Sequence, residues 1–220
     1  MGMEKKAHIR SMLSTEHGRE LWCTAKGRPW EEQDVESVYQ SFEENLHRVV
    51  AEYSQVIPGV PETVDALRQQ GIKIGSTTGY TSEIMRLVLP VAKAGEYEPD
   101  CVITPDMTGY SRPTPFMLYE CMKQTGIWPA FRVVKVGDTV VDIQEGKNAG
   151  AWSIGILNGS SLMGLSREEY EQASAEELRS RRENARKIYL QAGADAVIDS
   201  ILDLPEAIRA INEKMAKQEA

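Results

Sequence analysis

The sequence has few cysteines, few aromatic residues and no long apolar run. Three cysteines (Cys23, Cys101 and Cys121) are spread over 220 residues. That spacing excludes a disulfide scaffold and gives the expectation of reduced thiols in a cytoplasmic protein. No stretch approaches the roughly 18 uninterrupted apolar residues of a membrane span. The opening Met1-Gly2-Met3-Glu4-Lys5-Lys6 is not followed by the apolar segment of a secretory signal. Positive charge is in deficit: 25 Lys and Arg against 33 Asp and Glu leave a net charge of −8. That balance argues against a nucleic-acid partner, because phosphate contact runs through Lys and Arg. The basic run around Arg179, Arg181, Arg182, Arg186 and Lys187 follows an acidic stretch and reads as a solvated helix face. No internal repeat or low-complexity tract is found. With 41% hydrophobic and 26% charged residues, the composition is that of an ordinary globular domain.

Two textures follow one another along the chain. Residues 1–57 read as helices. Between Glu31 and Tyr53, apolar residues fall at 35, 38, 39, 42, 46, 49, 50 and 53, the spacing of one buried helical stripe. A shorter helix before it is broken by Gly27 and Pro29. A helix with Pro61 in its first turn and Gly71 as its stop opens the second part. From there strands alternate with helices: "IKIGS" (72–76), "CVIT" (101–104), "RVVKVG" (132–137), "WSIGIL" (152–157) and a short "AVI" (196–198). Ser166 with Glu169, and Ser174 with Glu177, have capping-box spacing between the last two strands. Strands joined by crossover helices predict an α/β fold, a doubly wound parallel sheet over 58–220, preceded by a helical segment over 1–57.

In such a sheet, ligands sit beyond the carboxyl ends of the strands, and three loops there carry chemistry. Asp138 ends the strand "RVVKVG" and Asp142 lies one turn into the following helix. Two hard oxygen donors with room for water suit Mg²⁺; on spacing alone, the same residues are equally a helix cap and a first-turn acid. "GSTTGYT" (75–81) offers the hydroxyls of Thr77 and Thr78 and N–H groups near Gly79 and a helix start, a combination able to cradle a phosphate. Arg112, before Pro113, could neutralise a phosphoryl oxygen in bidentate geometry. Singly, each of these is ordinary turn or surface chemistry. Jointly, a hydroxyl, a cation and a carboxylate pair after successive strands describe a phosphoryl-transfer site.

These loops resemble motifs two, three and four of the haloacid dehalogenase superfamily. "RPTPFMLYECMKQTGIWP" followed by "VVKVGDTVVDIQEGKNAGAWSIGIL" is similar to its signature. Within it, "IKIGSTTGYTSEIM", an arginine at motif three and "GSSLMGLS" (159–166) resemble the phosphonoacetaldehyde hydrolases, and so does the opening "MGMEKKAHIRSML". The resemblance implies a Rossmann-like core with a helical cap, Mg²⁺ as cofactor, a small-molecule phosphonate substrate, and a homodimer formed through the cap. It assigns the Schiff-base lysine to Lys5 and the nearby histidine to His8. It also assigns phosphoryl contacts to Thr77, Thr78 and Arg112, and the metal to Asp138 and Asp142. The superfamily's first central strand and its Asp-x-x-x-Thr nucleophile have no match ahead of Thr77. Their absence leads to the expectation that the strands before Thr77 and Asp138 are either separated by a gap or collapsed together, and that this chain alone is inactive. A phosphate-monoester phosphatase and a non-catalytic binding remnant are the alternative readings.

Overall fold

A computed structural model describes residues 5–218. Three helices come first: α1 (Lys5–Ser14), α2 (Glu16–Lys26) and α3 (Glu32–Val49). The Thr15 hydroxyl caps α2 at its start, and Gly27 ends it at φ 69°, a backbone conformation that favours glycine. Helix α1 lies on α3 through Lys6–Glu36 and the bidentate Arg10–Glu32 pair. Both pairs are solvent-exposed, so each contributes little to stability.

Helix α4 (Val60–Arg68) leads into the strand–helix alternation, which continues with β1 (Gly75–Thr77), α5 (Ser82–Ala94), β2 (Cys101–Ile103), α6 (Pro105–Thr108) and α7 (Phe116–Thr125). After these come β3 (Val134–Gly137), α8 (Val140–Ala149), β4 (Trp152–Ile156), α9 (Arg167–Gln172), α10 (Ala175–Gln191), β5 (Ala196–Ile198) and α11 (Leu204–Gln218). All ladders are parallel, and helices cover the strands on both faces, as the alternation predicts. No described helix is long and apolar enough to cross a membrane.

The first strand starts later than "IKIGS" suggests. Its pairing begins at Gly75, opposite Cys101, because the Asp100 carboxylate takes the Ile74 N–H at 2.7 Å. Helix α11 has no counterpart in the periodicity reading. It covers one face of the sheet with Leu204, Ile208 and Ile211, packed with Leu67, Ile154 and Ile198. The basic run on α10 is also more than a solvated face. Arg181 donates to the Met163 carbonyl, Arg182 to the Tyr170 hydroxyl, and Arg186 to the Val197 carbonyl and Asp199. Of the two capping boxes read from spacing, Ser166–Glu169 is reciprocal, whereas at Ser174 the serine alone caps.

The strands form two ladders, β1–β2 and β3–β4–β5, and not one sheet. Direct pairing of β1 with β3, one of the two expected arrangements, is not found. The ladders nevertheless share an apolar layer: Ile74 beside β1 and Val134 and Val136 of β3 all pack against the α4–α11 cluster. On the other face, Cys101, Ile103, Met117 and Cys121 pack β1–β2 onto α7. Ile143, Leu157, Ala185 and Tyr189 pack the second ladder onto α8 and α10. Gly155 in β4 lets the Tyr189 ring lie flat on the strand; a Cβ there would meet the ring at 2.7 Å. Because that ring is fully buried, Gly155→Ala should destabilise the fold by about 1–3 kcal/mol, read as a lower urea midpoint at unchanged slope.

Candidate active site

The carboxyl ends of β1 and β3, the start of α8, and α1 converge on one region. At β3, Gly137 allows the chain to fold back over the first turn of α8, since a Cβ there would lie 2.3 Å from the Asp142 Cβ. Thr139 caps α8, and Asp142 closes a reciprocal box: its Oδ2 accepts from the Thr139 hydroxyl at 2.5 Å and from the Thr139 N–H at 3.2 Å. Its Oδ1 faces Arg112 and, at 3.1 Å, the Lys135 ammonium. Burial works to raise the Asp142 pKa, but Lys135 and Arg112 outweigh it and hold the carboxyl below its usual range. Both oxygens are therefore engaged by the protein, and the capping role is present in full.

Asp138 is placed differently. Its backbone carbonyl accepts from Tyr189 Oη at 2.5 Å and Ser160 Oγ at 2.9 Å, which pins the loop while the side chain stays at the exposed rim. Lost solvation on its protein side and the nearby Asp142 carboxylate raise its pKa. A carboxylate held against its own charge suits a divalent cation. Among the described residues no group of three or more His, Cys, Asp and Glu side chains could hold a metal. One carboxylate with a second behind it is still a donor set Mg²⁺ accepts, because that ion keeps several waters.

The raised pKa of Asp138 also fixes a sign. A carboxyl whose folded pKa exceeds its unfolded value stabilises the fold at low pH and loses that stabilisation as pH rises through the folded value. Charged Asp138 therefore opposes folding at neutral pH. Discounted for its exposure, Asp138→Asn should raise the melting temperature at pH 7 without Mg²⁺ by roughly 1–2 °C. The gain should shrink as pH approaches 4, which calorimetric scans across pH will show.

The two threonines of the β1 loop separate in role. Thr77 Oγ1 accepts from the Lys135 ammonium at 2.7 Å and donates to Glu145 Oε2 at 2.9 Å. Its hydroxyl proton is thus committed inward, away from any phosphoryl group. Thr78 Oγ1 accepts from the Tyr80 N–H at 3.1 Å, so its own proton remains to be donated. The expected cradle at the start of α5 is narrower than its sequence suggests, because Asp106 Oδ1 takes the Ser82 N–H at 2.9 Å. The Thr78 hydroxyl and the Gly79 backbone are left to turn toward an anion.

Lys5 stands across from this loop. Its ammonium lies 5.2 Å from the Tyr80 ring centroid and 6.0 Å from that of Phe42, lining a small cavity with Gly79, Thr81 and Ile84. Burial first, and then the Arg112 charge, lower its pKa. For His8, on the same helix, burial and the Lys5 charge lower the pKa. Met1 and Gly2 of the opening motif lie outside the described residues. The structure therefore brings Lys5, Thr78, Arg112, Asp138 and Asp142 to one region and turns Thr77 away. The reading from sequence missed Lys135, Glu145, Ser160 and Tyr189. A lysine inside the apolar strand "VVKVG" was the available signal for the first of them.

A parallel α/β core with carboxylates after one strand and a threonine loop after another defines a haloacid dehalogenase-like hydrolase, and residues 7–150 match the model of that family. A phosphonoacetaldehyde hydrolase of Parabacteroides distasonis is 44% identical over 97% of this chain and 81% of its own length. The bifunctional phosphonoacetaldehyde hydrolase/aminoethylphosphonate transaminase of Clostridioides difficile is 39% identical over the whole chain, which spans 34% of it. The crystal structure of a phosphonoacetaldehyde hydrolase-like protein from Oleispira antarctica superposes with a TM-score of 0.93 at 35% identity, covering 99% of this chain and 79% of that one. The chain belongs to the phosphonoacetaldehyde hydrolase family.

Proposed function

We propose that the chain acts on phosphonoacetaldehyde, cleaving its P–C bond to give acetaldehyde and phosphate in the breakdown of 2-aminoethylphosphonate. The pairing with an aminoethylphosphonate transaminase in the Clostridioides relative supports that setting. The observation that carries the proposal is Lys5: an amine with a lowered pKa, between two aromatic rings, opposite the Thr78–Gly79 loop and close enough to Arg112 to feel its charge.

Heterolysis of a P–C bond leaves a carbanion, so the aldehyde needs an electron sink. The neutral Lys5 amine adds to the carbonyl, and loss of water gives an iminium ion. The bonding pair of the P–C bond then moves into an enamine while phosphorus passes to an oxygen nucleophile. Protonation at carbon and addition of water release acetaldehyde and regenerate Lys5. His8, one turn along α1, would move protons during imine formation. The Thr78 hydroxyl and Gly79 bind phosphoryl oxygens, and Arg112 offsets their charge. In this scheme Lys5, His8, Thr78, Arg112 and Asp138 take the roles the family resemblance implies, whereas Thr77 acts through its neighbours and Asp142 stands behind the metal site instead of in it. Asp138 would hold Mg²⁺, which would supply positive charge to offset that of the phosphoryl group, with Asp142 orienting the loop behind it. The nucleophile itself is the part of the scheme to which no described residue is matched. Residues 1–57 would act as cap and as the surface of a homodimer, and 58–220 as the core.

The test is borohydride trapping. Incubation with phosphonoacetaldehyde and reduction should leave a covalent adduct on Lys5, located by peptide mass spectrometry. Imine formation does not depend on the phosphoryl step, so the result speaks to Lys5 alone. An unlabelled protein that instead released phosphate from monoesters would move the reading to an ordinary phosphatase.

A further inference from the structure

The proposed mechanism leaves unused two charged side chains in the floor of the site. Lys135 is the second residue of β3, and its side chain is 9% exposed, on the α8 face of the strand. Its flanking residues Val134 and Val136 pack into the apolar cluster. Glu145 of α8 is fully buried, with a side chain 0% exposed. The Lys135 ammonium reaches Glu145 Oε2 at 2.8 Å, Thr77 Oγ1 at 2.7 Å and Asp142 Oδ1 at 3.1 Å. Glu145 Oε1 is buried with no hydrogen-bond partner.

A buried ion pair is a poor way to stabilise a fold. An apolar pair of similar volume is often as good or better, and an orphaned carboxylate oxygen adds a further cost. The pair does something an apolar pair cannot. Thr77 ends β1, Lys135 lies in β3, and these strands belong to separate ladders. The hydroxyl of Thr77, accepting from Lys135 and donating to Glu145, ties the end of one ladder to the strand and helix of the other. Lys135 also divides its charge between Glu145 and Asp142.

We infer that Lys135 and Glu145 are positioning residues. Through Thr77 they hold the Thr78–Gly79 anion loop against the Asp138–Asp142 loop, and through the shared ammonium they set the charge that Asp142 presents behind Asp138. The inference rests on the proposed phosphate and Mg²⁺ roles of those loops. Two consequences of opposite sign follow. Removing both charges frees the end of β1 and weakens phosphate binding. The same change takes a cation away from Asp142 and strengthens Mg²⁺ binding.

The variant Lys135→Met/Glu145→Gln removes the pair without leaving one buried charge alone. In titration calorimetry on the full chain, Mg²⁺ affinity should rise and affinity for inorganic phosphate should fall, each by about tenfold, the scale of changes behind a metal ligand. Glu145→Gln alone is the second variant. It leaves the whole ammonium to Asp142, so Mg²⁺ affinity should fall. Unchanged affinities, or both affinities falling together with the melting temperature, would reduce the pair to scaffold and overturn the inference. Wild-type protein that binds neither Mg²⁺ nor phosphate would overturn the proposed function as well, and that failure appears before any variant is made.

Discussion

Lys5→Arg should leave no borohydride-reducible adduct with phosphonoacetaldehyde, while the fold and its affinity for inorganic phosphate stay close to wild type. Arginine keeps a cation between Tyr80 and Phe42, and a guanidinium stacks on aromatic faces at least as well as an ammonium. What it lacks is a neutral amine: a guanidinium stays protonated across the working pH range, so no nitrogen lone pair is available to attack the aldehyde. In wild type, burial and the Arg112 charge both lower the Lys5 pKa and so raise the neutral fraction. The Arg112 charge gives a second handle. Arg112→Gln should move the pH dependence of trapping upward, since one of the two causes of the lowered pKa is removed. Intact-mass spectrometry across a pH series reads both effects. An adduct that persists in Lys5→Arg would place the imine on another lysine.

Asp142→Ala should be the most destabilising change at the site. The Asp142 carboxylate is the common partner of Arg112, Lys135 and Thr139, so its removal leaves buried Arg112 without its carboxylate, takes one of two carboxylates from Lys135, and opens one side of the reciprocal box at the start of α8. Breaking a buried charged pair by removing one partner costs about 3–5 kcal/mol. Against a total stability of ~5–15 kcal/mol for a domain, the variant should approach the limit of folding. Urea unfolding at pH 7 measures the loss. The pH dependence has a defined sign. The folded pKa of Asp142 is depressed, so its contribution is complete above the unfolded value near 3.9 and is lost as pH falls through the lower folded value. The gap between wild type and Asp142→Ala should therefore be constant from pH 7 down to about 5 and should narrow below about 4.

The alternation of strands and helices, the stop at Gly71, and the caps at Ser166 and Ser174 were legible in the residues. They are local: each depends on backbone conformations or hydrogen bonds within a few positions. The late start of β1 was not legible, because it depends on Asp100, 26 residues away, taking the Ile74 N–H. Helix α11 was legible, with Leu204, Ile208, Ile211 and Met215 at helical spacing, and the reading from sequence passed over it.

For the site, residue types and spacing were enough to collect Thr77, Thr78, Arg112, Asp138 and Asp142 as one chemistry, and the family resemblance added Lys5 and His8. Spacing could not assign different tasks to chemically identical neighbours. Thr77 and Thr78 differ because one side chain meets Glu145, 68 residues on, and the other meets the next turn. Asp138 and Asp142 differ because Lys135 and Arg112 reach only the second closely enough to pair with it. A charge's task is set by what it faces at about 3 Å, and in this molecule those partners come from separate ladders that meet only when the chain is folded.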